Sequence, residues 1–145
     1  MGITQLECDH LISLKKEFED LVTPVPLGPS PIKWTRTINS IDTHDTFLLD
    51  FNRGSMEIRR YTFNKRFRQT IILIRYDNDG RHTNPDGTQF SGPHVHLYGE
   101  EFNDKFAYPV SVIGVDPADD MDIVLKKLLI YCNVKRFPGF ESPMY

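Results

Sequence analysis

Between residues 32 and 113 the sequence alternates in character every second residue, in short runs rich in β-branched and aromatic side chains that are separated by turn-forming residues. Alternation with period two places successive side chains on opposite faces of an extended chain, so this stretch can bury a core only as a sheet. The runs at 32–39, 46–52, 56–64, 69–76, 94–98 and 107–113 are expected strands. Arg53-Gly54-Ser55 and residues 65–68 are too short for a crossover, which makes the second, third and fourth strands an antiparallel meander. Thr70 to Ile74 is apolar on both faces and is the expected central strand.

Helical periodicity frames this region. Thr4 and Glu7 have capping-box spacing, and Leu6, Leu11, Leu14, Phe18 and Leu21 recur at helical intervals. The four prolines and Gly28 of residues 24–31 end that helix and predict an extended tether. Asp116 as cap, Pro117 at the first helical position and the acidic residues Asp119, Asp120 and Asp122 predict a second helix. It carries Met121, Val124, Leu125, Leu128 and Cys132 on one face, and an irregular tail follows from Lys135. The expected fold is α+β: an antiparallel sheet of five to six strands with the N-terminal and C-terminal helices packed on one side.

At 145 residues one domain over 1–145 is expected, and a net charge of -3 excludes a disordered polyelectrolyte or a histone-like binder. Glu7 and Asp9 interrupt any leader pattern, and no apolar run approaches the roughly 18 residues of a membrane span, so a cytoplasmic protein without membrane contact is expected. Cys8 and Cys132 are expected as free, buried thiols of a reducing compartment.

The chemistry concentrates between His82 and Glu100, where three of the five histidines lie beside two turns. On a strand from His94, the side chains of His94 and His96 share a face about 7 Å apart while Val95 and Leu97 enter the core. An imidazole pair near neutrality can accept and donate a proton in one turnover, as metal-free RNA cleavage requires, with a cation beside it. Two histidines at i and i+2 with Glu100 or Asp86 can instead hold zinc, iron or manganese. The third reading makes the histidines turn residues bonded to backbone carbonyls. The glycines of a cupin motif and the spacing of an EF-hand are both missing.

The combination His82-x-Asn84-Pro85-Asp86-Gly87, Gly92-Pro93-His94-x-His96-x-Tyr98 and Asp104-Lys105-x-Ala107-x-Pro109 resembles a family of small uncharacterised domains of Gram-positive bacteria and their prophages. The resemblance covers about the middle third of the chain. It implies a mobile-element setting, where toxins, defence proteins and inhibitors of host defence occur, and carries no activity of its own.

Arg53, Arg59, Arg60, Lys65, Arg66, Arg68, Arg75 and Arg81 fall in one stretch whose acids before Asp77 reduce to Glu57, interleaved with Tyr61, Phe63 and Phe67. Such a meander can track a phosphate backbone and stack bases, or form a solvated face with cross-strand partners. The expected function is a small RNA-acting protein, a toxin-like metal-independent endoribonuclease. His94 and His96 are its acid–base pair, His82 an assisting group, Arg81 or Arg59 the phosphate clamp, and Lys65, Arg66 and Arg68 part of the nucleic-acid face. The alternatives are a non-enzymatic binding or inhibitor module, for example against a host defence protein, that engages RNA or a nucleic-acid-binding protein, and a metal-dependent hydrolase using His94 and His96.

Overall fold

A computed structural model of the chain describes residues 3–28, 32–52, 55–63 and 68–141, with the backbone alone at 61–63 and 68–70. In chain order the elements are α1 (Gln5–Ser13), β1 (Lys16–Phe18), β2 (Val25–Pro26), β3 (Lys33–Ser40), β4 (Thr46–Asn52), β5 (Ser55–Phe63), β6 (Arg68–Asp77), β7 (Arg81–Thr83), β8 (Gln89–Ser91), β9 (His94–Leu97), β10 (Ala107–Tyr108), α2 (Met121–Tyr131), β11 (Val134–Arg136) and β12 (Phe140–Glu141). A 3-10 helix, Val110–Ile113, follows β10. The main sheet has eight strands in the order β10-β9-β6-β5-β4-β3-β1-β11, and β7–β8 and β2–β12 form separate pairs.

The meander is as expected: β4 to β6 pair consecutively and antiparallel, and β3 pairs antiparallel with β4 beside them. The sheet is larger than the expected five to six strands and mixed, because β1 pairs antiparallel with β3 but parallel with β11. Both additional strands lie where the sequence reads otherwise. Phe18 continues the helical spacing of α1, with Lys16 on its polar face, but the helix ends at Ser13, and Lys16 and Phe18 are buried from a strand. Val134–Arg136 falls at the start of the tail expected to be irregular. The tether also pairs, through Val25 and Pro26 with Phe140 and Glu141. The last expected strand is two residues long before it turns into the 3-10 helix, and β6 is interior but third from the β10 edge. Helix α2 begins at Met121, later than Pro117, since Asp116 and Asp119 make turn bonds to the Ala118 and Asp116 amides.

Alternation divides the sheet into two unlike faces. On one, Ile38, Phe47, Leu49, Phe51, Met56, Ile58, Ile74, Tyr76 and Val95 form a single buried cluster with Cys8 and Leu11 of α1 and Val124, Leu125, Leu128 and Leu129 of α2. The register carries a polar row across the other face: Thr35 opposes Asp50, Asp50 opposes Glu57, Glu57 opposes Arg75, and Arg75 opposes His96. A second row joins Ser55, Asp77 and His94. No helix among the described residues is long and apolar enough to cross a membrane. Both thiols are free and buried, and burial, the larger cause, raises Cys8 to about 11 and Cys132 to about 12.

Lys16 ties the helix ends to the sheet. Its side chain is 1% exposed, lies over the Phe47 ring, and donates from Nζ to the carbonyls of Ile12 (2.9 Å), Leu14 (2.9 Å) and Cys132 (2.7 Å). Those carbonyls belong to chain ends that have run out of helical N–H partners. Burial lowers the ammonium from 10.5 to about 8, so between these values the unfolded chain holds a proton that the folded chain lacks. Stability linked to Lys16 therefore rises with pH through that window, and below about 8 the buried charge opposes folding in full. In urea unfolding of wild type and Lys16→Met at pH 7 and 10, the wild type should gain stability relative to the variant at the higher pH; parallel shifts would show that Lys16 does not titrate there.

Candidate metal centre

The histidines lie on the polar face, where solvent would be expected, yet His94 and His96 are only 3% and 1% exposed. What covers them is the β7–β8 hairpin and the segment 99–106 that precedes β10. The hairpin is held by Asn84, itself buried, whose side-chain amide donates to the Ala107 carbonyl at 2.9 Å and accepts from the Ala107 amide at 2.7 Å. A primary amide that bonds both ways acts as a peptide unit and joins the hairpin to β10 as a strand would. His82, on this hairpin, stacks on His94 at 5.8 Å and meets His96 edge-on at 4.5 Å, and the His94 and His96 rings are 5.1 Å apart.

Each imidazole has its tautomer fixed by a carbonyl, which can only accept. His94 Nδ1 donates to the Gly92 carbonyl (2.9 Å), His96 Nδ1 to that of Asp104 (2.9 Å) and His82 Nε2 to that of Lys105 (2.8 Å). Gly92 has φ 82, in the left-handed region, and a Cβ there would meet nothing within 4 Å, so backbone conformation alone selects glycine. In the neutral form of each ring the second nitrogen carries the lone pair. Those of His94 and His96 are Nε2 atoms, and both face one carboxylate oxygen, Asp77 Oδ2, at 3.5 and 3.4 Å. Ligand atoms of Asp77, His94 and His96 all lie within 4.8 Å of one another.

Arg75 adjoins this set. Its Nε bonds Asp77 Oδ2 (3.2 Å), Nη2 donates to His96 Nε2 (3.1 Å), and Nη1 reaches Asp104 Oδ2 (3.4 Å). Burial pushes the Asp77 carboxyl upward, but the His96 imidazole and the Arg75 charge outweigh it, and Asp77 lies below the usual carboxylate range. It is ionised at neutral pH. Two imidazole nitrogens and a carboxylate thus converge, a set that a cation stabilises: the Arg75 guanidinium supplies one to Asp77 and His96, and a divalent ion could be held by all three.

Of the residues singled out in the sequence, His82, His94 and His96 come together. The carboxylate beside them is Asp77, whereas Glu100 accepts from the Gln5 amide at the start of α1 (2.7 Å) and exposed Asp86 accepts from the Thr88 amide (2.9 Å). Arg59 shares the polar face but is paired with Asp50 (2.6 Å) and lies 3.6 Å from Glu57, and Arg60, on the other face, pairs with Asp45 (3.3 Å). Arg81 is exposed and lines a cleft of about 590 Å³ with His82 and Phe90. Lys65 and Arg66 lie outside the described residues, as does the Arg68 side chain. Asp77, Arg75 and Asp104 were not expected in the site. A signal for the first two exists: Arg75 and Asp77 are charged at alternate positions around apolar Ile74 and Tyr76, the same spacing as His94-x-His96 around Val95.

Replacing Asn84 by Ala leaves both buried groups of Ala107 without partners, at about 1–3 kcal/mol for each. Hydrogen exchange of the hairpin amides of Arg81 to Ser91 should accelerate at least tenfold in Asn84→Ala; exchange unchanged there would show that the amide clamp does not hold the hairpin.

No curated protein and no solved structure matches the chain. The profile of a family of unknown function, DUF6978, matches residues 3–134, and the chain belongs to that family.

Proposed function

We propose that the protein is a metal-dependent hydrolase whose divalent ion, zinc or a neighbour of similar preference, is held by Asp77, His94 and His96. The observation that carries this reading is the convergence of two Nε2 atoms, each on a ring oriented by a carbonyl at Nδ1, on one carboxylate oxygen. Three protein ligands are the number found in catalytic zinc sites, which keep a further position for water, whereas structural zinc is usually held by four. The carbonyl bonds at both Nδ1 atoms are of the kind that orient ligating histidines. Access is from the side of Asp77 and Arg75, whose side chains are 23% and 32% exposed. On that side a metal-bound water would meet substrate.

A second reading retains the histidines as a metal-free acid–base pair acting on RNA, in a protein of mobile-element origin. It is supported by the Arg75 guanidinium, which already supplies a cation at His96 Nε2. Against it stand the burial of both rings and the pairing of Arg59 and Arg60 with carboxylates. A strand of RNA could approach their Nε2 atoms only from the side of Asp77 and Arg75.

Metal-stripped protein should take up one equivalent of zinc or cobalt(II), and His96→Ala, if folded, should lose affinity by about a hundredfold or more. Uptake that is unaffected by His96→Ala would remove the ion from this site. Cleavage of single-stranded RNA in excess EDTA, lost in a folded His94→Ala, His96→Ala variant, would establish the second reading in its place.

A further inference from the structure

Arg75 occupies the positions that a metal ion would need. Its Nε and Nη2 atoms take Asp77 Oδ2 and His96 Nε2, two of the three ligand atoms, while Nη1 holds a carboxylate outside the set, Asp104 Oδ2. A divalent ion and a guanidinium cannot share one lone pair, and at such separations their like charges repel strongly. Resting on the metal reading above, we infer that Arg75 and the ion are alternative occupants of the Asp77–His96 pair, and that the ion, on entering, turns Arg75 into a receptor for a small oxyanion bound beside it.

The geometry of the guanidinium gives this exchange a pivot. With Nη1 kept on Asp104, release of Nε and Nη2 frees two donors of one planar edge next to the ion's open position. A planar edge with two parallel N–H groups matches phosphate or carboxylate in bidentate fashion. The oxyanion would bridge the ion and the freed edge, which makes its binding and that of the ion mutually reinforcing. The substrate class is then a small molecule with a phosphate or carboxylate group, presented to the ion from the half-exposed side of Asp77 and Arg75.

The test is cobalt(II) titration of the metal-stripped full chain, read by its visible absorption, alone and with inorganic phosphate, acetate or chloride at equal ionic strength. Phosphate or acetate should tighten cobalt binding to the wild type at least tenfold over chloride, and whichever does so identifies the favoured oxyanion geometry. Arg75→Gln should bind cobalt at least tenfold more tightly than wild type in chloride and lose the oxyanion effect. Asp104→Asn, which spares the ligand atoms and removes the pivot, should still bind cobalt and show a weaker oxyanion effect, so a misfolded Arg75 variant does not end the test. Equal affinities for wild type and Arg75→Gln in chloride, or an undiminished oxyanion effect in the folded variants, would overturn the exchange while leaving the metal site standing. Absence of cobalt binding in wild type and both folded variants would remove the metal reading and the exchange with it, whereas binding by Arg75→Gln alone would support the exchange in its strongest form.

Discussion

The pairing register of β6 and β9 is the constraint on which the site and much of the core jointly depend. Asp77 opposes His94 and Arg75 opposes His96, while Tyr76 opposes Val95 and Ile74 opposes Leu97. Because side chains alternate with period two, a slip of one residue in β9 would send both imidazoles into the apolar cluster and bring Val95 and Leu97 to the polar face. Packing of Ile74, Tyr76 and Val95 beneath the helices therefore fixes where the histidines point. The core selects the register, and the register assembles the site.

Cover for the histidines comes from irregular backbone, and hydrogen-bond accounting explains why. Carbonyls inside a ladder are already taken by neighbouring strands, so a buried imidazole N–H needs an acceptor from a loop. The three acceptors are Gly92, Asp104 and Lys105, all outside strands. Seen this way the scattered residues of the middle third belong to one construction. Asn84 fastens the hairpin to Ala107, Gly92 turns its carbonyl toward His94, and Asp104 offers a carbonyl to His96 and a carboxylate to Arg75. Tyr98 donates to the Ile3 carbonyl at 2.6 Å and accepts from the Ile3 amide, which anchors the chain before α1 to the end of β9.

Local alternation made β3 to β6 and the shared face of His94 and His96 legible in the sequence, because each depends on neighbours a few residues apart. Strand β1 was not legible: Lys16 and Phe18 fit a helical period as well as a strand's, and what decides between them is the pairing with β3 and the distant β11. Nor does a lysine announce burial, since its acceptors include the carbonyl of Cys132, more than a hundred residues away. The place of Asp77 is hidden in the sequence for a related reason. It closes a strand just before a turn and reads as turn chemistry, and only the β6–β9 pairing, across the intervening hairpin, brings it to the histidines. Glu100 and Asp86 are nearer to the histidines in sequence but have local tasks.

Charge shows the same gap between order along the chain and order in space. Arginines dominate residues 53–81, yet the polar face built from that stretch is a series of ion pairs: Thr35 donates to Asp50, Asp50 holds Arg59, Arg59 approaches Glu57, and Arg75 spans Asp77 and Asp104. Among the described side chains of this row, two guanidiniums are shared among four carboxylates. Burial, followed by the charge of Asp50, raises the Glu57 carboxyl above its ordinary range despite Arg59 and Arg75, so the excess of acids is felt locally. Arg59, Arg60 and Arg75 are each engaged by carboxylates of the fold itself, so the order of charges along the chain does not measure the charge that a face presents.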